Sequence, residues 1–277
     1  MAEASTAEHP STRTSDALDA EALKALGARL QDLLRLRTLP ISMKLFETVD
    51  AMRAIPGLRL PQAGTAFTSC QLVTRCRYSG ITLGFTHDNV RPHSNCGGIL
   101  GLNKPSEAYL SGERMNGIWF ENQDAARQHQ EQMPRVPHGR YAGVAVSPLR
   151  SARLDDPDIV LFYGTPGQMI IFINGLQWRR YERFDFSVTG ESACADSWGT
   201  ALATGKTSLS IPCFAERRYG GVADDELLMA LRPQELARAI EGMEGLSRAG
   251  LRYPIIPYGP NADPAPGMDF SYGDKPK

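Results

Sequence analysis

No stretch of the chain approaches the roughly 20 apolar residues that a membrane-spanning helix needs, so nothing in it predicts contact with a bilayer. The first fifteen residues, MAEASTAEHPSTRTS, are polar and lack the apolar centre of a secretory signal. The expectation is a cytoplasmic protein with reduced thiols. Cysteine is scarce and odd in number, with five residues at Cys70, Cys76, Cys96, Cys194 and Cys213, which argues against a disulfide framework. Excess charge is missing too. Thirty basic residues stand against 31 acidic ones, a formal net charge of -1, so no broad basic field invites nucleic acid.

Three local signatures are also absent. No Gly-x-Ser-x-Gly elbow marks a serine hydrolase. No Cys-x2-Cys pair marks a zinc ribbon or a bacterial ferredoxin. The stretch CADSWGTALATGKTSLSIPC, residues 194–213, ends near a Gly-Lys-Thr that looks like a phosphate-binding loop, but Gly199 and Gly205 enclose five residues where that loop has four. A helix in this stretch would also precede the Gly-Lys, which points the wrong end of its dipole at an anion.

What is present is an ordinary globular composition, 42% hydrophobic and 22% charged over 277 residues. A chain of this length can bury a sufficient core without a metal or a disulfide, which leaves its cysteines free for chemistry. Ser15 or Asp16 is placed to cap a helix that carries Leu23, Leu26, Leu30, Leu33 and Leu34 at helical spacing. LPISMKLFET reads as a strand with Lys44 in its middle, and a short helix starting near Cys70 and stopped by Gly80 leads to a strand at Ile81 to Phe85. Residues 119–133 read as a helix ahead of Pro134, and YAGVAVSPLR as a strand. The β-branched and aromatic run from Asp158 reads as buried strands around a short helix. Leu236, Ile240, Met243 and Leu246 share the apolar face of a last helix that stops at Gly250.

The fold class expected is α/β, with a mixed α+β arrangement open. The expected divisions are a disordered N-terminus at 1–15, a first α/β half at 16–150, a second at 151–252 and an extended C-terminal arm at 253–277. Both halves follow one plan: a strand, a cysteine, a helix, a glycine, a strand and a second cysteine. Cys70, Gly80 and Cys96 fill it first; Cys194, Gly205 and Cys213 fill it second. Two pseudo-repeated halves related by a twofold axis would bring all four thiols to a central cysteine-lined site. Cys76, six residues after Cys70, falls on another helical face and is the spare. Gly97 and Gly98, directly after Cys96, would let backbone N–H groups approach whatever that sulfur holds. His93, three residues before Cys96, could reach the same site, with His87 and Asp88 in the same loop. Asp196 could support Cys194 or stabilise a helix start.

PISMKLF, SCQLV, CGGILGL, MPRVP, ESACADSWGTALATGKTSLSIPC and DELLMALRPQEL together resemble the DUF169 family, also called ArCR, over Leu39 to Ala249. The resemblance implies cysteines at the positions of Cys70, Cys96, Cys194 and Cys213. It also implies Gly-Thr ahead of the cysteine at 194, where this chain has Ser192-Ala193. The family's usual Gly-Cys-Tyr-Gly-Cys stretch is not completed after Cys213, where the chain reads FAERR.

Soft thiolates favour an iron–sulfur cluster or zinc over hard ions. The leading expectation is a [4Fe-4S] cluster on three or four of these cysteines, with an open iron acting as Lewis acid in a lyase of the hydro-lyase type. His93 and Lys44 would then be the catalytic acid and base. Lys206, Arg217, Gly97 and Gly98 would hold an anionic small-molecule substrate. Two other readings stay open: a fully ligated iron–sulfur or zinc site in a non-catalytic or electron-transfer protein, and a metal-free protein that binds a small molecule. No nucleic-acid or membrane partner is expected, and a homo-oligomer is left open.

Overall fold

A computed structural model describes residues 18–92 and 94–257. The N-terminal stretch 1–15, the proposed caps Ser15 and Asp16, His93 and most of the C-terminal arm lie outside the described residues. Among the described residues no helix is long and apolar enough to cross a membrane.

The first helix, α1 (Ala20–Leu34), starts at Asp19, whose carboxylate accepts from the Ala22 N–H at 2.7 Å. Leu23, Leu30 and Leu34 are buried along one stripe of it, as their spacing predicts. The chain continues through β1 (Ile41–Phe46) and α2 (Val49–Arg53) to α3 (Ser69–Ser79). Thr68 and Gln71 close a capping box at the start of α3, and Gly80 ends it at φ 68°, a left-handed turn that glycine makes without strain. β2 (Leu83–Thr86) begins two residues later than the sequence suggests, because the Thr82 carbonyl accepts from Arg59 N–H outside the sheet.

Next come α4 (Asn95–Ile99), α5 (Glu107–Leu110), α6 (Gln123–Glu131) and β3 (Gly143–Pro148). The helix expected over 119–133 is shorter. The Asn122 side chain accepts from Ala125 N–H at 2.9 Å and caps α6 there, leaving Trp119 to Glu121 outside it. The second half runs through β4 (Ile159–Gly164) and α7 (Pro166–Gln177), then a π-helical turn (Ala195–Gly199) that continues as α8 (Thr200–Thr204). β5 (Ser208–Ser210), α9 (Phe214–Gly220), β6 (Leu227–Leu231) and α10 (Pro233–Arg248) complete it.

The six strands form one sheet in the order β2-β3-β1-β4-β6-β5, every neighbouring pair antiparallel. The fold is therefore a mixed α and β arrangement, without the parallel sheet that alternating elements often build. Side chains alternate across it. On β4, Val160 and Phe162 point to a core shared with α1, α7 and α10, whereas Ile159, Leu161 and Tyr163 point to one that contains Cys70, Cys96 and Cys194. Burying an apolar side chain of this size contributes about 2 kcal/mol, so both faces are strongly fixed. Behind the sheet α7 and α10 cross closely: a Cβ on Gly242 would lie 2.0 Å from the Gly175 carbonyl oxygen.

Candidate functional site

Cys70, Cys96 and Cys194 belong to the core on one face of the sheet. Cys70 is the second residue of α3, Cys96 the second of α4, Cys194 directly precedes the π-helical turn, and Cys213 directly precedes α9. The sulfurs of Cys96 and Cys194 are 3.4 Å apart, and Cys70 is near enough to Cys96 for the two thiols to act on each other. Thr68 Oγ1 stands 2.9 Å from Cys70 Sγ. Cys213 is close enough for its charge to act on both Cys96 and Cys194. All four thiols are buried. Among the described residues no group of three or more His, Cys, Asp or Glu side chains is placed to hold a metal ion.

This setting disfavours thiolates. Contact with Cys96, then burial, raises the Cys70 thiol, and contact with Cys194 does most to raise Cys96. Burial raises Cys194 and pushes Cys213 up to about 11, although backbone N–H groups of Glu216 and Ala193 face the Cys213 sulfur and offset part of that. Cys76 is raised by burial alone and has no thiol partner, in keeping with its reading as the spare.

Charged groups surround the cluster that the sequence did not single out. Glu216 on α9 is buried, and burial pushes its carboxyl up to about 7. Its Oε1 accepts from the Tyr163 hydroxyl at 3.1 Å, and the Cys213 backbone N–H at the start of α9 also faces the carboxyl. The Arg77 guanidinium lies 3.8 Å over the Tyr163 ring and forms a buried pair with Glu226, Nη2 to Oε2 at 3.0 Å. Arg135, from the MPRVP motif, is half-buried and feels the Cys194 charge. Ser69 Oγ, beside Cys70, and Trp198 Nε1, four residues after Cys194, are buried donors without partners. MPRVP was visible as a motif, but nothing local distinguishes Glu216 from other helix glutamates.

The remaining expected residues lie in several places. His93 is outside the described residues. Lys44 donates to the Asp155 carbonyl and, with Lys206, lines a groove of about 1500 Å³ that contains none of the four cysteines. Both lysines thus line one large groove whose lining includes none of the four cysteines. Arg217 donates to the carbonyls of Pro212 and Ala223 at 3.1 and 2.8 Å and pairs with Asp224, tying down the loop after α9. Gly97 and Gly98 are not in a turn, as expected, but inside α4. A Cβ on Gly97 would lie 2.7 Å from Val90 Cγ1 and one on Gly98 3.0 Å from Pro105 Cγ, so the glycines allow these segments to pack closely. Asp196 accepts from Thr189 N–H at 2.9 Å and shapes the turn before Cys194. His87 and Asp88 form an exposed pair. Gly205 ends α8 at φ 70°, so the helix does precede the Gly-Lys.

The fit to a soft metal is one of donor chemistry. Four buried thiols are of the right donor type, with buried donors at Ser69 and Trp198, although no three of the described ligand-type side chains are placed to hold a metal ion. Residues of this kind suit zinc or an iron–sulfur cluster, whose sulfurs accept hydrogen bonds.

No solved structure matches the chain. An uncharacterised protein of Methanocaldococcus jannaschii, MJ0308, is 25% identical over 184 residues, which cover 63% of this chain and 75% of that protein. The sequence pattern of the DUF169 family, described as uncharacterised ArCR, matches residues 29–242. With most of its length matched, including all four clustered cysteines, the chain belongs to the DUF169 family.

Proposed function

We propose that this protein carries a closed, thiolate-ligated metal centre, a [4Fe-4S] cluster in the first instance and zinc as its alternative, held by Cys70, Cys96, Cys194 and Cys213. One observation supports the reading: the buried sulfurs of Cys96 and Cys194, 98 positions apart, lie 3.4 Å from each other, and Cys70 and Cys213 are near enough for their charges to act on that pair. Neutral thiols gain little from such crowding. A metal takes them as thiolates and releases their protons, turning mutual repulsion into shared ligation. When bound, an iron–sulfur cluster would supply a one-electron couple. The chain's residues would bury it, and Ser69 and Trp198 could donate hydrogen bonds to its sulfurs.

The same proposal takes the two halves as copies of one plan. The strand order supports it: β1 and β4, the first strand of each half, pair at the sheet centre, and outward from them stand β3 and β6, then β2 and β5. A twofold axis through the β1–β4 pair would exchange Cys70 with Cys194 and Cys96 with Cys213. This is the symmetry that a four-thiolate site uses well.

The hydro-lyase reading needs, in addition, an open iron and a substrate beside it. Lys44 and Lys206, the residues assigned to base and anchor, line a groove away from the cysteines. Electron transfer or redox sensing by a saturated centre is therefore the function favoured here. Protein purified without oxygen should contain about four irons and four sulfides per chain and absorb visible light, with both lost in Cys96→Ser. About one colourless zinc would select the alternative. Folded, metal-free wild-type protein would overturn the proposal.

A further inference from the structure

We propose that the groove lined by Lys44 and Lys206 binds a small organic phosphate monoester, with Lys206 and Arg232 as the cations that hold its phosphate. The inference does not depend on the metal centre, since none of the four cysteines lines this groove.

Two segments distant in sequence meet where the phosphate would sit. Gly205 ends α8 and hands the chain to Lys206, while Arg232 stands between β6 and α10. Their approach is close: a Cβ on Gly205 would lie 2.2 Å from Arg232 Nη2, so the guanidinium rests against the backbone just before Lys206. Arg232 is half-buried, yet among the described residues its side chain has no acceptor, and its nitrogens are not sealed from solvent. Lys206 is exposed and also lacks a carboxylate partner among them. The hydroxyl of Thr207, which lines the same groove, is a buried donor without an acceptor.

Charge supports the assignment. The acids that residues 182–185 and α10 bring to the groove are already engaged: Glu182 and Glu235 by Arg238, and Asp185 by Arg183. Glu47, Asp156 and Asp158 enter from the end of β1 and the loop before β4, where Lys44 stands. Lys206 and Arg232 are thus left over, and together they match the roughly two negative charges of a phosphate monoester at neutral pH. Arg232 also precedes a 16-residue helix without capping it through its side chain, at a helix end that disfavours a cation and favours an anion. A phosphate bound there answers both charges, the arginine offering a planar fork and the lysine a point charge.

Space and lining point to an organic ligand. The groove holds about 1500 Å³, far more than a phosphate fills, and Phe46, Tyr141 and Phe184 contribute ring surface to its walls.

The test is calorimetry of wild-type protein with phenyl phosphate, inorganic phosphate and succinate. It is repeated on Arg232→Gln, Arg232→Lys, Lys206→Ala and, as a control, Lys104→Ala, whose side chain is exposed and outside the groove. Phenyl phosphate should bind saturably and more tightly than the other two anions. Arg232→Gln and Lys206→Ala should each weaken it roughly tenfold or more, Arg232→Lys should weaken it less than Arg232→Gln, and Lys104→Ala should leave it unchanged. Thermal melting controls for folding, and all four variants should melt with wild type. If phenyl phosphate does not bind wild type, or binds Arg232→Gln and Lys206→Ala as it binds wild type, the proposal is wrong. Equal binding of inorganic phosphate would overturn the organic ligand, and equal binding of succinate the choice of phosphate.

Discussion

The sulfur of Cys194 lies 3.4 Å from that of Cys96 although 98 positions separate them in sequence. A disulfide needs about 2.05 Å, so a modest approach of the two side chains would close one. Metal-free protein exposed to oxidant should link Cys96 to Cys194 and leave Cys76 reduced. Because both thiols are raised, the reaction should be slow at neutral pH and faster in alkali. Peptide mapping by mass spectrometry checks the pairing. Metal-loaded protein should resist oxidation, and a Cys76 disulfide would contradict this arrangement.

Metal uptake should acidify the solution. The four clustered thiols are all held protonated above their ordinary range, so each must lose a proton to become a thiolate ligand. The apparent affinity for added Zn²⁺ should therefore rise with pH through the neutral range. Calorimetry in buffers of different ionisation enthalpy counts the protons. A pH-independent affinity with no proton release would exclude thiolate binding.

The pair of Arg77 and Glu226 is the electrostatic join between α3 and the loop before β6. Its side chains are 0% and 3% exposed, and Glu226 Oε2 also accepts from Ala223 N–H at 2.9 Å. Removing one member of a buried pair strands the other, at a cost of roughly 3–5 kcal/mol. Arg77→Met should lower the denaturant midpoint accordingly, and Arg77→Met combined with Glu226→Leu should recover part of that loss. Equal midpoints for wild type and the single variant would show that the pair has no such role.

Ser192, two residues before Cys194, sits at φ 90°, a conformation that favours glycine. Its hydroxyl accepts from Asn95 Nδ2 at 3.0 Å, which holds it in place across the site. Ser192→Ala loses this bond and keeps the strain, whereas Ser192→Gly loses the bond and relieves the strain. The glycine variant should be the more stable of the two by about 1 kcal/mol, measured by thermal melting. The reverse order would mean that the strain is negligible.

Close packing of α7 on α10 gives the last expectation. Gly242→Ala would drive a methyl group into the Gly175 carbonyl and Trp178 Cβ, at 2.0 and 2.7 Å. Overpacking of this kind costs about 1–3 kcal/mol, and equilibrium unfolding should show it. Metal content should stay unchanged, because these helices lie on the opposite face of the sheet from the cysteines.

What the sequence by itself determined is local. Leucine spacing placed α1 and α10, and Gly80 and Gly205 marked helix ends, because periodicity and glycine conformation are written within a few residues. The cysteines were recognised at element boundaries by their polar, small-residue neighbours. Gly97 and Gly98 were misread as a turn, since one short motif fits both a turn and a tightly packed helix; only Val90 and Pro105, brought against them by folding, decide between the two. Tertiary structure alone decided the antiparallel strand order, the placement of Lys44 and Lys206 in one groove, and the burial of Glu216. These depend on contacts between residues distant in sequence, and the burial that makes a carboxylate or a thiol unusual exists only once those segments have met.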